Sequence, residues 1–307
     1  MRAFIFPGQG SQKVGMGVEL AGASQAARDV FGEVDEALGQ HLFKLMAEGP
    51  DDQLTMTANA QPAIMANSIA VLRTMGIDLA DKGQSVAGHS LGEYSALCGA
   101  GTFALAETAR LLRIRGDAMQ AAVPVGVGSM AALLGVDIAK AEEIAAACAE
   151  GDVCEVANDN DPGQVVLSGH LVAIDRVVER AKEMGAKRAI KLPVSAPFHC
   201  SLMQPAADRM AEALSGASIN EPCVPLFANV TAAAGDDVDA IRAQLVEQVT
   251  GRVRWRECVA AMADAGVTQF VELGGKVLGP MVKKIAPDAE TVSIVTMDDI
   301  EAFAKEM

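Results

Sequence analysis

Residues 86–94 read Val-Ala-Gly-His-Ser-Leu-Gly-Glu-Tyr and set Ser90 between Gly88 and Gly92. A short apolar run precedes the serine and a helix-like stretch follows it. The hydroxyl therefore falls where a strand turns abruptly into a helix, and glycines on both sides let backbone approach where a Cβ would clash. This G-x-S-x-G pattern is that of a nucleophile elbow, a tight turn that pushes a serine out at a helix N-terminus. Such a pattern also arises by chance, so the hydroxyl counts as a nucleophile only if other residues can serve it.

A serine hydroxyl is a poor nucleophile near neutral pH and needs a base. The chain has four histidines, His41, His89, His170 and His199. His89 adjoins Ser90, but neighbours in a tight turn point apart, and its expected role is support of the elbow. His41 lies in a helix-like stretch and His170 at the start of a helix, where packing, capping or surface roles suit them. His199 stands in Pro-Val-Ser-Ala-Pro-Phe-His-Cys, a loop that two prolines hold in an extended path. It is either a side chain aimed at a site or a plain loop histidine. No short pattern marks an acid between Ser90 and His199, so the expectation is a Ser–His pair and not the triad of the α/β-hydrolases.

The helix predicted over residues 105–123 raises a second question. Leu111, Leu112, Ala118, Met119 and Ala122 form one apolar arc, and Arg110, Arg113, Asp117 and Gln120 lie opposite. Arg115 falls inside the apolar arc. A guanidinium cannot shed its charge, so burial demands a carboxylate or phosphate partner. Either an internal Asp or Glu answers that demand, or an anionic substrate held beside the serine. At the N-terminus, Phe-Pro-Gly-Gln-Gly-Ser-Gln brackets Gln9 with glycines after an apolar run. It lacks the Gly-Lys-Ser/Thr of a phosphate loop, but such a turn can present a backbone N–H to an oxyanion.

The elements that must position these residues alternate. Apolar runs at 2–6, 84–88, 224–230, 268–274 and 291–295 are separated by Ala-rich helical stretches. That alternation predicts an α/β fold with a mostly parallel sheet. Between residues 126 and 194 the rhythm becomes strand, helix, strand, strand, helix, strand, with the two middle strands joined by Asp-Asn-Asp-Pro-Gly. The order βαββαβ predicts a ferredoxin-like small domain over 125–195, inserted into a larger domain of 1–124 and 196–307. The competing reading is that these strands extend the main sheet.

Composition narrows the function classes. Half of the 307 residues are hydrophobic but only 4% are aromatic, so the core is built from Ala, Val, Leu, Ile and Met. A net charge of −15 argues against nucleic acid, which needs a cationic surface. No stretch is long and apolar enough for a membrane span, and the N-terminus lacks the pattern of an export signal. The six cysteines have no C-x-x-C spacing and are expected as reduced thiols in a cytoplasmic protein. No metal-ligand cluster and no cofactor motif appears.

Taken together, these segments resemble the malonyl-CoA:acyl carrier protein transacylases of the freestanding bacterial type, along essentially the whole chain. The matching motifs are FPGQGSQ, GHSLGEY, the RGDAMQ that begins at Arg115, NDNDPGQ, SAPFHCSLM, and LVEQV with the following VRW. The resemblance implies a hydrolase-like α/β core and ping-pong acyl transfer in fatty acid biosynthesis. Ser90 would take the malonyl group, with His199 as its base. Backbone N–H groups of Gln9 and Leu91 would hold the oxyanion, and Arg115 the malonate carboxylate. Gln248 matches the family glutamine near the histidine, where backbone orients the ring without an acidic third residue. Phe198 is like that of malonyl-selecting members. The implied partners are malonyl-CoA and an acidic acyl carrier protein, with no cofactor, nucleic acid or membrane, and the chain is expected as a monomer. A carrier dock is expected at Lys187, Arg188 and Lys191 or at Arg252, Arg254 and Arg256. Two departures stand out: Arg252 where members commonly carry proline, and Asp159 and Asp161 near an anionic substrate. A serine esterase or thioesterase, or an acyltransferase of a polyketide pathway, is the alternative.

Overall fold

The computed structural model describes residues 1–194 and 196–306. Ser195, the last residue of the expected small domain and part of the SAPFHCSLM motif, lies outside the described residues, as does Met307.

The chain opens with β1 (Arg2–Phe6) and then runs through six helices before the second strand. These are α1 (Val18–Ala23), α2 (Gln25–Leu38), α3 (Leu42–Glu48), α4 (Asp51–Thr55), α5 (Thr57–Met75) and α6 (Leu79–Lys82). Next come β2 (Ser85–Gly88), α7 (Gly92–Gly99) and α8 (Leu105–Ala121). The following run is β3 (Gly128–Leu134), α9 (Ile138–Ala149), β4 (Cys154–Asp161), β5 (Gln164–His170), α10 (Leu171–Arg180) and β6 (Arg188–Lys191). A 3-10 turn (Ser201–Met203) leads into α11 (Gln204–Gly216), β7 (Leu226–Phe227), β8 (Ala234–Gly235) and α12 (Val238–Thr250). The chain closes with α13 (Trp255–Asp264), β9 (Gln269–Leu273), α14 (Gly279–Ile285), β10 (Glu290–Ile294) and α15 (Met297–Ala304).

Six strands form the main sheet in the order β10-β9-β1-β2-β7-β8. Every pairing is parallel except the short β7–β8 hairpin. β1 at its centre is apolar at consecutive positions because helices cover both faces. Its side chains alternate: Phe4 and Phe6 enter the core beneath α2, α5 and α8, while Ala3 and Ile5 enter the one beneath α13 and α14.

The second sheet is antiparallel, in the order β4-β5-β3-β6. It does not extend the main sheet. Ala131 and Leu133 of β3 face a separate core closed by α9 and α10, whereas Met130 and Ala132 face the main core. Alternation along one strand thus seats the smaller sheet on the larger unit.

Three local expectations are corrected. β4 continues through Asn158–Asp161, so the turn to β5 is only Pro162-Gly163. These buried polar residues stay extended because each finds a partner. His89 binds Asn160, Arg256 pairs with Asp159, Lys284 pairs with Asp161, and Asn158 bridges to Val253. Asp159 and Asp161 therefore bring no free negative charge to the site. The strand expected over 224–230 shrinks to Leu226–Phe227, since Asn229 leaves the ladder to bond near Ser90. β6 stops at Lys191, just before the residues that wall the active-site cavity; Pro193 there has no N–H to offer a ladder.

Candidate active site

Ser90 is the middle residue of the three-residue turn, His89 to Leu91, between β2 and α7. Its φ is 54°, in the left-handed region that side chains disfavour. The flanking glycines have a measurable reason. A Cβ on Gly88 would lie 1.9 Å from the carbonyl of Gly92, and one on Gly92 would lie 2.2 Å from Phe6 O. Only bare backbone lets α7 leave the sheet at this angle. The turn is pinned by Asn229, whose Oδ1 accepts the Ser90 N–H at 2.8 Å and whose Nδ2 donates to Gly88 O at 2.8 Å.

Three side chains distant in sequence converge on this turn. His199 Nε2 lies 2.7 Å from Ser90 Oγ. His199 also has a positive φ, 58°, and its Nδ1 lies 2.9 Å from the backbone carbonyl of Gln248 on α12. A carbonyl only accepts, so Nδ1 carries the proton and Nε2 keeps a lone pair toward the hydroxyl. Burial, and then the positive charge of Arg115, push the imidazole down to about 3. The ring is therefore neutral at physiological pH and able to receive a proton.

Arg115 is 1% exposed on α8. Its Nη1 donates to Gln61 Oε1 at 2.8 Å, and its Nη2 to Gln248 Oε1 at 2.9 Å and Ser90 Oγ at 3.1 Å. Gly116 makes this delivery possible, because a Cβ there would meet Ala58 Cα at 2.6 Å and hold α8 away from α5. Among the described residues no carboxylate lies within ion-pair distance of Arg115. The guanidinium is hydrogen-bonded to neutral amides and the hydroxyl, lies 5.7 Å from the centre of the Tyr94 ring, and leaves Nε unsatisfied.

A cavity of about 280 Å³ opens over these groups, walled also by Met119, Met130, Leu192, Val194 and Phe198. Gln9 and Leu91 line it too. Neither backbone N–H donates to a protein acceptor among the described residues, and Leu91 is the residue preceding α7. The Gln9 side chain turns away and accepts from Thr57 Oγ1 at 2.7 Å. The site thus offers a neutral base, a hydroxyl, two free N–H groups and a buried cation around one space.

The other histidines stay outside this chemistry. His89 bonds Asn160 Oδ1 at 2.8 Å and tilts over Trp255, bracing the elbow. His170 precedes α10 without capping it and accepts instead from Val153 N. His41 precedes α3 on the surface. Of the basic residues considered for carrier docking, Arg252, Arg254 and Arg256 are tied to Glu142, Glu257 and Asp159 and form no free cationic face. Lys191 pairs with Asp175.

Three polar residues at the site escape sequence reasoning: Gln61, Glu93 and Asn229. Glu93 carried a signal, a lone charge inside the apolar start of α7. Gln61 and Asn229 carried none that separates them from ordinary loop or helix residues.

Residues 3–278 match the family model described as the acyl transferase domain. The chain belongs to that family. Within the acyl transferase family, it is 43% identical over 306 residues to the malonyl CoA-acyl carrier protein transacylase of Escherichia coli K12, covering 99% of each chain. It is 43% identical to the protein of the same name from Bacillus subtilis, covering 97% of this chain and 95% of that one. Among solved structures, the acyl-carrier-protein S-malonyltransferase of Bartonella henselae matches with a TM-score of 0.97 and 53% identity, over 99% of this chain and 98% of that one. The chain is an acyltransferase by family, and the geometry around Ser90 has to account for acyl transfer.

Proposed function

We propose that this chain transfers a malonyl group from malonyl-CoA to the phosphopantetheine thiol of an acyl carrier protein, in fatty acid synthesis, through a malonyl-Ser90 intermediate. Ser90 Oγ attacks the thioester carbonyl while His199 Nε2 takes its proton. The N–H groups of Gln9 and Leu91 receive the developing oxyanion, where each such donor contributes about 10²- to 10³-fold in rate. The tetrahedral intermediate collapses by breaking the C–S bond, and the departing coenzyme A sulfur takes the proton from His199. The carrier thiol then repeats the sequence in reverse: His199 accepts its proton, sulfur attacks the ester, and Ser90 leaves with that proton. The Gln248 carbonyl holds the imidazole throughout, so no acidic third residue is needed.

Arg115 carries this reading. A fully buried cation with no carboxylate in direct contact among the described residues, placed on the nucleophile itself, suits an acyl group that ends in a carboxylate. An esterase for neutral acyl groups has no use for it. The test is the intact mass of the protein after exposure to malonyl-CoA. A malonyl adduct should form on the native chain, be absent from Ser90→Ala, and be discharged by carrier protein; an unmodified native chain rules the reading out.

The domain reading follows the same supports. We read residues 1–124 and 196–307 as a hydrolase-like unit, given a parallel sheet with a serine elbow after β2. Residues 125–195 read as a ferredoxin-like unit, given the βαββαβ order, the antiparallel strand order and a core of its own. Six free cysteines suit a reducing, cytoplasmic compartment.

A further inference from the structure

Glu93 is a buried charge that the transfer steps above do not use. It lies on the first turn of α7 with no exposure to solvent. Its Oε2 accepts from the Asn229 backbone N–H at 2.8 Å and from Gln248 Nε2 at 3.0 Å. Its Oε1 has no partner among the described residues. Asn229 links Glu93 to the Ser90 turn, and the Gln248 amide links it to Arg115. Gln248 turns its oxygen to Arg115 Nη2 at 2.9 Å and its NH₂ to Glu93 Oε2 at 3.0 Å. One dipole therefore lies between a buried cation and a buried acid, with the favourable end toward each.

The other groups around Glu93 carry no charge near neutral pH. Burial pushes the neighbouring Tyr94 phenol and the Cys258 thiol of α13 upward, and keeps His199 neutral. Asn229 and Gln248 are amides. The two buried charges that Gln248 joins are one cation, Arg115, and one acid, Glu93.

We infer that Glu93 is the resident counter-charge of Arg115 in the free enzyme, and that a substrate carboxylate arriving on Arg115 drives a proton from solvent onto Glu93. The inference rests on the acyl-transfer reading above. Two carboxylates served by one buried cation cannot both stay ionised without a large penalty. The unpartnered Oε1 is the lone pair open to the proton. Burial has already raised Glu93 to about 7, against the pull of its hydrogen bonds and of Arg115. Once a malonyl carboxylate neutralises Arg115, that pull is gone and Glu93 rises further.

The experiment is a proton count during acylation, by pH indicator in weakly buffered solution, with intact mass read on the same sample. At about pH 7.5 the native enzyme should take up roughly half a proton or more per malonyl-serine formed, falling to near zero at about pH 5.5, where Glu93 is protonated beforehand. The released thiol stays protonated at both values, since free thiols ionise at about 8.5. In Glu93→Gln the uptake should vanish while Ser90 still gains the malonyl mass. Malonyl mass on the native enzyme without proton uptake overturns the inference and leaves the transfer reading standing. No malonyl mass at all overturns both. If the glutamine variant does not fold, the native enzyme at the two pH values decides alone.

Discussion

At the scale of single residues, the site is a set of groups whose charge states are fixed by burial. His199 titrates far below its ordinary 6.5, at about 3, so its active neutral form persists as pH falls. The sign follows: lowering pH from 8 through 6 does not remove the base. The kcat/KM for malonyl transfer should show no acid limb at the usual histidine position, and any inflection near 7 should belong to Glu93 and disappear in Glu93→Gln. A pH–rate profile checks this; a limb centred on 6.5 that survives in the variant contradicts it. Arg115 allows a second prediction. Arg115→Ala should lower kcat/KM for malonyl-CoA by about a hundredfold or more, the cost of losing a buried charge-assisted pair, and should tolerate acetyl-CoA comparatively better. Equal losses on both acyl groups would make the arginine a structural residue.

At the scale of elements, the delivery of these residues depends on close backbone approaches. Gly92→Ala would place a Cβ 2.2 Å from Phe6 O, at the seam where α7 leaves the parallel sheet. The expected result is loss of acyl transfer together with a melting temperature lower by several degrees, because neither backbone can give way. A variant that melts like the native chain would show that the seam is slack. The same seam explains what could be read from the sequence. The glycine spacing around Ser90 predicted the elbow because the constraint is local. Arg115 was conspicuous because a cation broke an apolar arc that helical periodicity made visible. Asn229 was not, because its role depends on β7 ending early, and that end is set by contacts with Gly88 and Glu93 far away in sequence. The stretch Asp159–Asp161 read as part of a turn for a similar reason: Arg256, Lys284 and His89, which keep it extended, come from three other segments.

At the scale of the whole molecule, the smaller sheet is seated by apolar side chains and by ion pairs from β4 to α13 and α14. Asp159 of the smaller sheet is 1% exposed and is neutralised by Arg256 of α13. Arg256→Ala should cost about 3 kcal/mol by stranding that carboxylate, and Arg256→Lys should restore most of it. Thermal melting of the pair of variants tests this, and unchanged melting in Arg256→Ala would mean that solvent already reaches Asp159. A different tension follows from the backbone at Ser90 and His199. Both hold torsions that glycine adopts freely and other residues resist, at a cost of order 1 kcal/mol or more each. Replacing Ser90 with glycine should therefore yield a sturdier protein that melts about 2 °C higher and does nothing. An engineer who screened this chain for heat resistance alone would be led to delete its nucleophile and its base as readily as to replace Glu150 and Ala232, which share that backbone.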